Sequence, residues 1–268
     1  MKRKPAVAGT FYPGHPAELR RQIGRMTVPD APKSKAFAAI VPHAGYVYSG
    51  AVAGAVFSAV EIPPSCVVLA PAHRPIRPLF AIMTEGSWET PLGPVPIESG
   101  LASGILKRCR LVQADPAAHA EEHSLEVQIP FLQTFRPDVS IVPLNVSYRA
   151  EFEDLEALGG AVAEAVREWG GETLLVASTD MSHYISAAEA RRRDFKAIDR
   201  ILALDPRGLV EVVRAEDISM CGVLPTAAVL VAAKALGASK AELVRYATSG
   251  DVTGDDREVV AYAGFVVK

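Results

Sequence analysis

Cysteine is scarce in this chain of 268 residues, which contains only Cys66, Cys109 and Cys221. Three cysteines so widely spaced do not form the disulfide framework of a small secreted domain, and they fit a reducing compartment. Long apolar runs are also lacking, since none approaches the roughly 18 residues of a membrane span. The apolar stretch near the N-terminus, Ala6–Ala8, is too short for a signal-peptide core. We therefore expect a soluble, cytoplasmic protein that does not bind membranes.

An excess of positive charge is lacking as well. The chain has 28 Lys and Arg residues against 31 Asp and Glu residues, a formal net charge of −3. Apart from the basic start at residues 2–4, the cluster that stands out is Arg191–Arg193, which is typical of a solvated helix face, so we expect no nucleic-acid partner. Repeats, low-complexity tracts and convincing linkers are absent too. These absences predict one domain spanning residues 1–268.

What the chain does contain is a series of short apolar runs, typical of buried strands, separated by helix-like stretches. The runs cover residues 38–42, 66–71, 140–146, 173–178 and 259–267, and the main helix-like stretches cover residues 49–60, 153–169 and 225–236. Alternation of this kind over the whole length predicts a single α/β domain with a central, mainly parallel sheet flanked by helices.

Three of these runs lead directly into histidines. His43 follows the first run, His73 follows the second, and Asp180 and His183 follow run 173–178. Ligands bind beyond the carboxyl ends of strands in open α/β sheets, so these side chains are expected at one rim. A hydrogen-bonded residue at a strand end is the plain alternative for each histidine. Their occurrence together favours a metal or acid–base site.

Further candidates lie near these residues in the predicted fold. Cys221 precedes a helix expected from Pro225, and a helix N-terminus favours the thiolate form, which is a ligand and a nucleophile. The alternative is a small buried apolar residue, the role we assign to the other two cysteines. Asp180 is a candidate to orient a metal-bound histidine and His183 to move protons, although residues 178–180 are also typical helix caps.

A histidine pair at positions i and i+4, His119 and His123, has a spacing that binds zinc on one helix face. The His-Glu-x-x-His order of zinc proteases is absent, because residue 120 is alanine. A solvated acidic helix is the commoner setting for such a pair. His15 lies in a turn and is expected to be structural or exposed.

Several stretches together resemble the Memo family, also called AmmeMemoRadiSam system protein B. They extend in order over essentially the whole chain, at residues 5–13, 41–46, 122–126, 178–183 and 221–222. Two positions depart from the family pattern. Ala70-Pro71-Ala72-His73 stands where the family has Gly-Pro-Ser/Asn-His, and Val223 stands where a basic residue is common.

The resemblance implies a fold similar to class III extradiol dioxygenases, which are non-haem Fe(II) enzymes. It implies that His43 and His73 are metal ligands, that Cys221 replaces the carboxylate ligand, and that His183 is the acid–base residue. The matched stretches add His123, Glu126 and Tyr46 as pocket residues. A thiolate ligand softens the site, which favours Fe(II) or copper, with zinc as an alternative. The resemblance also implies a radical SAM protein as partner.

Three functions remain open from the sequence. The first is a metal-dependent redox enzyme acting on O₂ or a reduced substrate. The second is a non-enzymatic module that binds a peptide or holds a metal, and the third is a zinc-dependent hydrolase. An acid and a histidine beside three candidate ligands favour an enzyme, because a binding pocket needs no proton carrier. Whether the substrate is a small molecule or a peptide, and the oligomeric state, are not determined by the residues.

Overall fold

The computed structural model describes residues 1–268 and contains twelve strands and ten α-helices. The strands are β1 Lys2–Arg3, β2 Ala38–Val41, β3 Ser65–Pro71, β4 Phe80–Ile82, β5 Ser87–Thr90, β6 Gly93–Pro96, β7 Val112–Ala114, β8 Ser140–Val146, β9 Thr173–Ser178, β10 His183–Ile185, β11 Ala241–Thr248 and β12 Val259–Val267. The helices are α1 Pro16–Met26, α2 Tyr46–Ala59, α3 Ser99–Arg108, α4 His123–Glu126, α5 Ile129–Phe135, α6 Phe152–Trp169, α7 Ala187–Leu202, α8 Pro206–Ala215, α9 Val223–Leu236 and α10 Gly250–Thr253.

The main sheet has the strand order β10-β12-β2-β9-β3-β8-β4-β7, with β11 also paired to β12. The central strands β2, β9, β3 and β8 are parallel, and every residue of β2, β3 and β8 is buried, as expected for strands covered on both faces. Antiparallel pairs join β12 to β2 on one side and β4 to β8 on the other. The α/β fold is therefore confirmed, while the antiparallel flanks make the sheet mixed rather than mainly parallel.

Helices pack on this sheet in two groups. Helix α2 contacts β2, β11 and β12, whereas α9 contacts β2, β3 and β9 and is itself covered by α6. The two helices of the second group approach closely, because a Cβ at Gly159 of α6 would lie 2.7 Å from Val231 of α9. Buried apolar side chains from both groups and from the sheet form one continuous core. None of the helices has the length and apolarity needed to cross a membrane.

The predicted helices occur with shifted starts. Helix α2 begins at Tyr46 and α9 at Val223, each two or three residues earlier than the apolar pattern indicates. Helix α6 ends as predicted at Gly170, whose φ of +71° is readily adopted by glycine. Residues Pro116–His119 form a 3₁₀ turn that is capped by the side chain of Asp115. Strands β5 and β6 join β1 in a separate three-stranded sheet.

Candidate metal centre

The rim of the central sheet gathers the predicted site residues. Strand β9 lies between β2 and β3 and is parallel to both, so the three strands end at the same edge. His43 and Asp180 each come two residues after their strands, and His73 comes two residues after β3. The prediction that the strands before these residues are neighbours is therefore confirmed.

Three imidazoles meet at this rim. One ring nitrogen from each of His43, His73 and His123 lies within 4.8 Å of the others, a spacing able to hold a metal ion. The ring centroids are 5.2 Å apart for His43 and His73, 5.6 Å for His43 and His123, and 4.6 Å for His73 and His123. His43 is buried, whereas the side chain of His73 is 35% exposed. The group is thus reachable from solvent on the His73 side.

Hydrogen bonds fix the tautomer of His43. Its Nδ1 lies 2.9 Å from the Ser178 hydroxyl, which donates its one hydrogen to the Ser124 carbonyl and accepts from the Gln128 amide. Because the Ser178 hydrogen is already committed, Nδ1 of His43 must be the donor to its oxygen. Burial, and then the neighbouring His73, keep the pKa of His43 well below its usual value. The Nε2 atom is therefore unprotonated and has a lone pair available, as a metal ligand requires.

Glu122 orients the second imidazole. Its carboxylate accepts hydrogen bonds from the backbone N–H of His73 at 2.7 Å and of Ser124 at 2.9 Å, and it lies 2.9 Å from Nδ1 of His73. Burial opposes ionisation of this carboxyl, but the contacts with His73 and Ser124 outweigh it and lower the pKa of Glu122 to about 2. With Nδ1 held by Glu122, the Nε2 atom of His73 remains for a ligand.

Cys221 lies beside the three imidazoles without being part of that group. Its Sγ is 3.2 Å from Nε2 of His43 and accepts a hydrogen bond from the backbone N–H of Asp180 at 3.3 Å. Burial, and then the Asp180 carboxylate, raise the pKa of the thiol in the metal-free protein. A nitrogen and a sulfur bound to one metal at about 2.1 and 2.3 Å are separated by a little over 3 Å at a right angle. Cys221 therefore stays a geometrically suitable ligand.

Asp180 and His183 occupy the same rim but do not share a helical turn, because residues 180–182 are a loop that leads into β10. Asp180 is buried, and its Oδ1 accepts a hydrogen bond from the backbone N–H of His43 at 2.8 Å. His183 is partly exposed, and its Nδ1 lies 2.9 Å from the Ser219 carbonyl. Since a carbonyl only accepts, Nδ1 of His183 is the donor of this hydrogen bond, which leaves Nε2 without a hydrogen bond to the protein.

Two predicted pocket residues, Tyr46 and Glu126, make hydrogen bonds to other parts of the protein. Tyr46 donates its hydroxyl hydrogen to the Val127 carbonyl at 2.6 Å and packs on Phe131. The Glu126 carboxylate accepts hydrogen bonds from the N-terminal segment, including both the Arg3 guanidinium and the Tyr12 hydroxyl. Both residues thus make these hydrogen bonds within the protein.

The predicted pairing of His119 with His123 on one helix is not formed. His119 ends the 3₁₀ turn, whereas His123 begins α4. The ring of His119 is buried, and neither of its nitrogens has a hydrogen-bond partner. The two histidines therefore do not share one helix face, and His123 lies with His43 and His73 instead.

Residues that orient the imidazoles were missed by the sequence reasoning. No sequence motif marks these residues as partners of the histidines; they are Ser178, Gln128, Glu122 and Ser219. Two of them, Ser178 and Glu122, lie inside the stretches that match the family, immediately beside site residues. That position was the available signal, because metal-binding histidines need a partner for their second nitrogen.

The donor set fits a transition metal. Three imidazoles and a nearby thiol suit zinc, copper or iron, whereas calcium and magnesium prefer sites built from oxygen ligands. Both His43 and His73 have Nδ1 engaged by a neighbouring oxygen, which leaves Nε2 available at each. The metal itself is not identified by this arrangement.

Comparisons with known proteins agree over the whole chain. The sequence profile described as "Memo-like protein" matches residues 3–266. A MEMO1 family protein of Methanopyrus kandleri is 41% identical, with 100% of this chain and 99% of the relative covered. MEMO1 family proteins of Methanothermobacter thermautotrophicus and Aquifex aeolicus are also 41% identical, with 98% of this chain and 99% and 98% of the relatives covered.

One solved structure is similar in fold. The crystal structure of an uncharacterized protein from Escherichia coli K12 matches with a TM-score of 0.56 and 17% sequence identity. The match covers 85% of this chain and 98% of that one. At this identity the likeness supports the shared fold and carries no information about activity.

Proposed function

The chain belongs to the Memo-like protein family, and from this premise and the rim geometry we propose that it is a metal-dependent redox protein. The observation that carries the proposal is the group of three imidazoles whose ring nitrogens lie within 4.8 Å of one another. Hydrogen bonds to Ser178 and Glu122 orient two of these rings.

The proposed ligands are His43 and His73, completed by His123, by Cys221 or by both. His43 belongs to either set, because its Nε2 is near the other two imidazoles and 3.2 Å from Sγ of Cys221. A set that includes the thiolate favours copper, zinc or thiolate-tolerant Fe(II), whereas three imidazoles accept all three metals. We therefore propose Fe(II) or copper as the bound metal, with zinc as the alternative.

The chemistry that such a metal supplies when bound is one-electron exchange and the activation of O₂ or of a reduced substrate. The protein's own contribution is to position ligands and to move protons. Nε2 of His183 has no hydrogen bond to the protein, and the carbonyl of Ser219 holds the ring through Nδ1. Asp180 holds the backbone of His43 in place. We propose His183 as the proton carrier and Asp180 as a positioning residue.

Two further parts of the proposal concern the surroundings of the protein. A radical SAM protein as partner rests on the family resemblance, and a cytoplasmic location rests on the sequence composition. The competing function is a binding module that holds metal without turnover, and the same site would serve it. The two functions differ in whether a proton carrier matters.

Metal content after anaerobic purification tests the site. We expect stoichiometric metal in the wild type and a large loss in His73→Ala, whereas His15→Ala, at an exposed turn, serves as the control. Comparing Cys221→Ser with His123→Ala then identifies the third ligand as the variant that loses metal. Wild-type protein that takes up no Fe(II), copper or zinc would contradict the proposal.

Oxygen consumption with a reductant tests the redox function. We expect His183→Ala to retain metal and to lose most of the turnover of the wild type. If the metal-loaded wild type consumes no O₂ with any reductant or catechol tried, the binding module is the better description.

A further inference from the structure

A groove opens directly beside the candidate metal centre. Its volume is about 430 Å³, within the range of 300–1,000 Å³ typical of small-molecule sites. His73 and Cys221 are among the residues that line it. A molecule in the groove would therefore reach the candidate metal centre.

The walls of this groove are apolar. Ten of its fifteen lining residues are hydrophobic, and they come from four parts of the chain: the end of β3 with the loop after it, the end of β8 with the loop after it, helix α8 with the loop after it, and the start of α9. Val213, Ile218 and Met220 line it while being almost fully buried, so they are fixed by the core rather than free to move away. Val223 and Leu224, in the first turn of α9, are only partly buried.

The charged groups of the groove are few. Besides His73, only Arg214 and Asp217 line it. The Arg214 guanidinium is 74% exposed and lies 3.6 Å from the Glu151 carboxylate, so it is solvated and already near an anion. Tyr148, which also lines the groove, is 70% exposed. Polar and exposed groups are thus available to the end of a ligand, whereas its body would meet hydrocarbon.

We propose that the substrate is a small molecule with an uncharged apolar body, which lies in this groove with its polar reactive end at His73 and Cys221. This proposal rests on the proposed metal site. Burying a charged body against Val213, Ile218 and Leu224 would cost desolvation energy, and the exposed, solvated side chains of Arg214 and Asp217 recover little of it. A hydrocarbon body gains from leaving water instead. Val223, in the first turn of α9, is then a residue that determines specificity.

A chain-length series tests this proposal on the zinc-loaded protein. Alkyl hydroxamates from acetohydroxamate to octanohydroxamate place a metal-binding head at the centre and an apolar tail of increasing length in the groove. We expect the dissociation constant, measured by calorimetry, to fall by up to about fourfold per buried methylene. Affinity that does not change along the series, on protein that binds zinc, would overturn the groove proposal and leave the metal site intact.

Matched lysine substitutions locate the effect. Val223→Lys places a cation in the groove, and we expect it to weaken octanohydroxamate at least tenfold and to remove the dependence on chain length. Val212→Lys is the control, because Val212 is a partly buried valine of α8 that lines a different depression. Leu224→Gln, which adds no charge, is the second variant if Val223→Lys does not fold. Equal weakening by Val212→Lys and Val223→Lys would contradict the proposal.

A metal-free measurement separates the two proposals. The neutral dye N-phenyl-1-naphthylamine gains fluorescence in apolar sites, and we expect the metal-free wild type to bind it and octanol to displace it. If the protein takes up no zinc but binds the dye, and Val223→Lys does not, the proposed function fails while the groove proposal holds. If the wild type does not bind the dye, and binds long hydroxamates no more tightly than short ones, the groove proposal is wrong.

Discussion

The segment 119–126 makes contacts on two sides, and the two sides differ in purpose. Glu122 and His123 face the candidate metal centre. There the Glu122 carboxylate contacts Nδ1 of His73, and the His123 ring stacks on the His73 ring with 4.6 Å between the ring centroids. His119 and Glu126 face the N-terminal segment, where Arg3 donates to the His119 carbonyl and pairs with the Glu126 carboxylate. One acid and one histidine thus serve each side of the same eight residues.

The two glutamates are almost equally buried, at 4% for Glu122 and 1% for Glu126, yet their partners differ. Glu122 contacts an imidazole whose other nitrogen is available to a ligand. Glu126 accepts from a guanidinium, a phenol and two backbone amides, so its hydrogen-bonding capacity is used entirely within the protein. Burial alone therefore does not distinguish a site residue from a structural one, and the partners do.

The largest effect is expected from breaking the structural side. Glu126→Gln removes the charge that pairs with the buried Arg3 guanidinium, and an unpaired buried charge costs about 3–5 kcal/mol. We expect the free energy of unfolding in urea to fall by that amount, with metal affinity per folded molecule little changed. Glu121→Gln, at an exposed ion pair with Arg74, is the control and should cost less than about 1 kcal/mol. A loss of metal affinity with unchanged stability would reverse the assignment.

Breaking the site side should do the opposite. Glu122→Gln weakens the hydrogen bond that orients His73, and loss of such a partner lowers metal affinity by about 10–100-fold. Gln keeps one carbonyl oxygen as an acceptor for the backbone N–H groups of His73 and Ser124, so we expect a smaller loss of stability than in Glu126→Gln. Competition with a metal indicator measures the affinity. If both variants lose stability equally and keep their metal, the two sides are not distinct.

The central strands and the rim at their carboxyl ends could be predicted from sequence. Both depend on local residues, namely on short apolar runs and on the side chains that follow each run. Apolar runs before His43, His73 and Asp180 predicted neighbouring strands, and the sheet confirms them. The antiparallel flank of β12 could not be predicted in this way, since the pairing of distant strands leaves no local pattern.

The contacts within the site were less accessible to sequence reasoning. Glu126 and Tyr46 lie in family-matched stretches, but whether they face a pocket or the interior depends on the packing of residues more than 80 positions away. Burial by distant segments raises the pKa of the Cys221 thiol and likewise leaves no local pattern in the sequence. The i, i+4 spacing of His119 and His123 suggested a possible zinc pair on one helix, but the two residues belong to different elements, a 3₁₀ turn and α4.

A pH dependence would sharpen the contrast between the two sides. Burial, and then Arg3, lower the pKa of His119 to about 3. The unfolded chain therefore takes up a proton at this residue below about pH 6.5 while the folded chain does not, so stability rises with pH between about 3 and 6.5. At pH 5 the contribution is a loss of about 2 kcal/mol relative to pH 7.5.

His119→Leu should remove that part of the acid sensitivity. We expect the unfolding free energy of the metal-free variant, measured in urea at pH 7.5 and pH 5, to fall by about 2 kcal/mol less than that of the wild type. His15→Leu, at an exposed turn, controls for the loss of a histidine. An identical pH dependence in His119→Leu and wild type would show that His119 is not kept neutral by its surroundings.

The smallest expected effect concerns a residue on the site side that is held at a cost in stability. Tyr184 follows His183 and lies at the irregularity where β10 pairs with β12, with φ of +57° and a side chain that is 75% exposed. Left-handed backbone costs a non-glycine residue roughly 1–2 kcal/mol, and so exposed a ring recovers little of it by packing. Tyr184→Gly should therefore raise the free energy of unfolding by about 1 kcal/mol. Tyr148→Gly is the matched control, because Tyr148 is 70% exposed without a positive φ and should gain nothing. If both glycine variants lose stability equally in urea, the backbone at Tyr184 is not strained. The loop that carries His183 would then be held at no cost in stability.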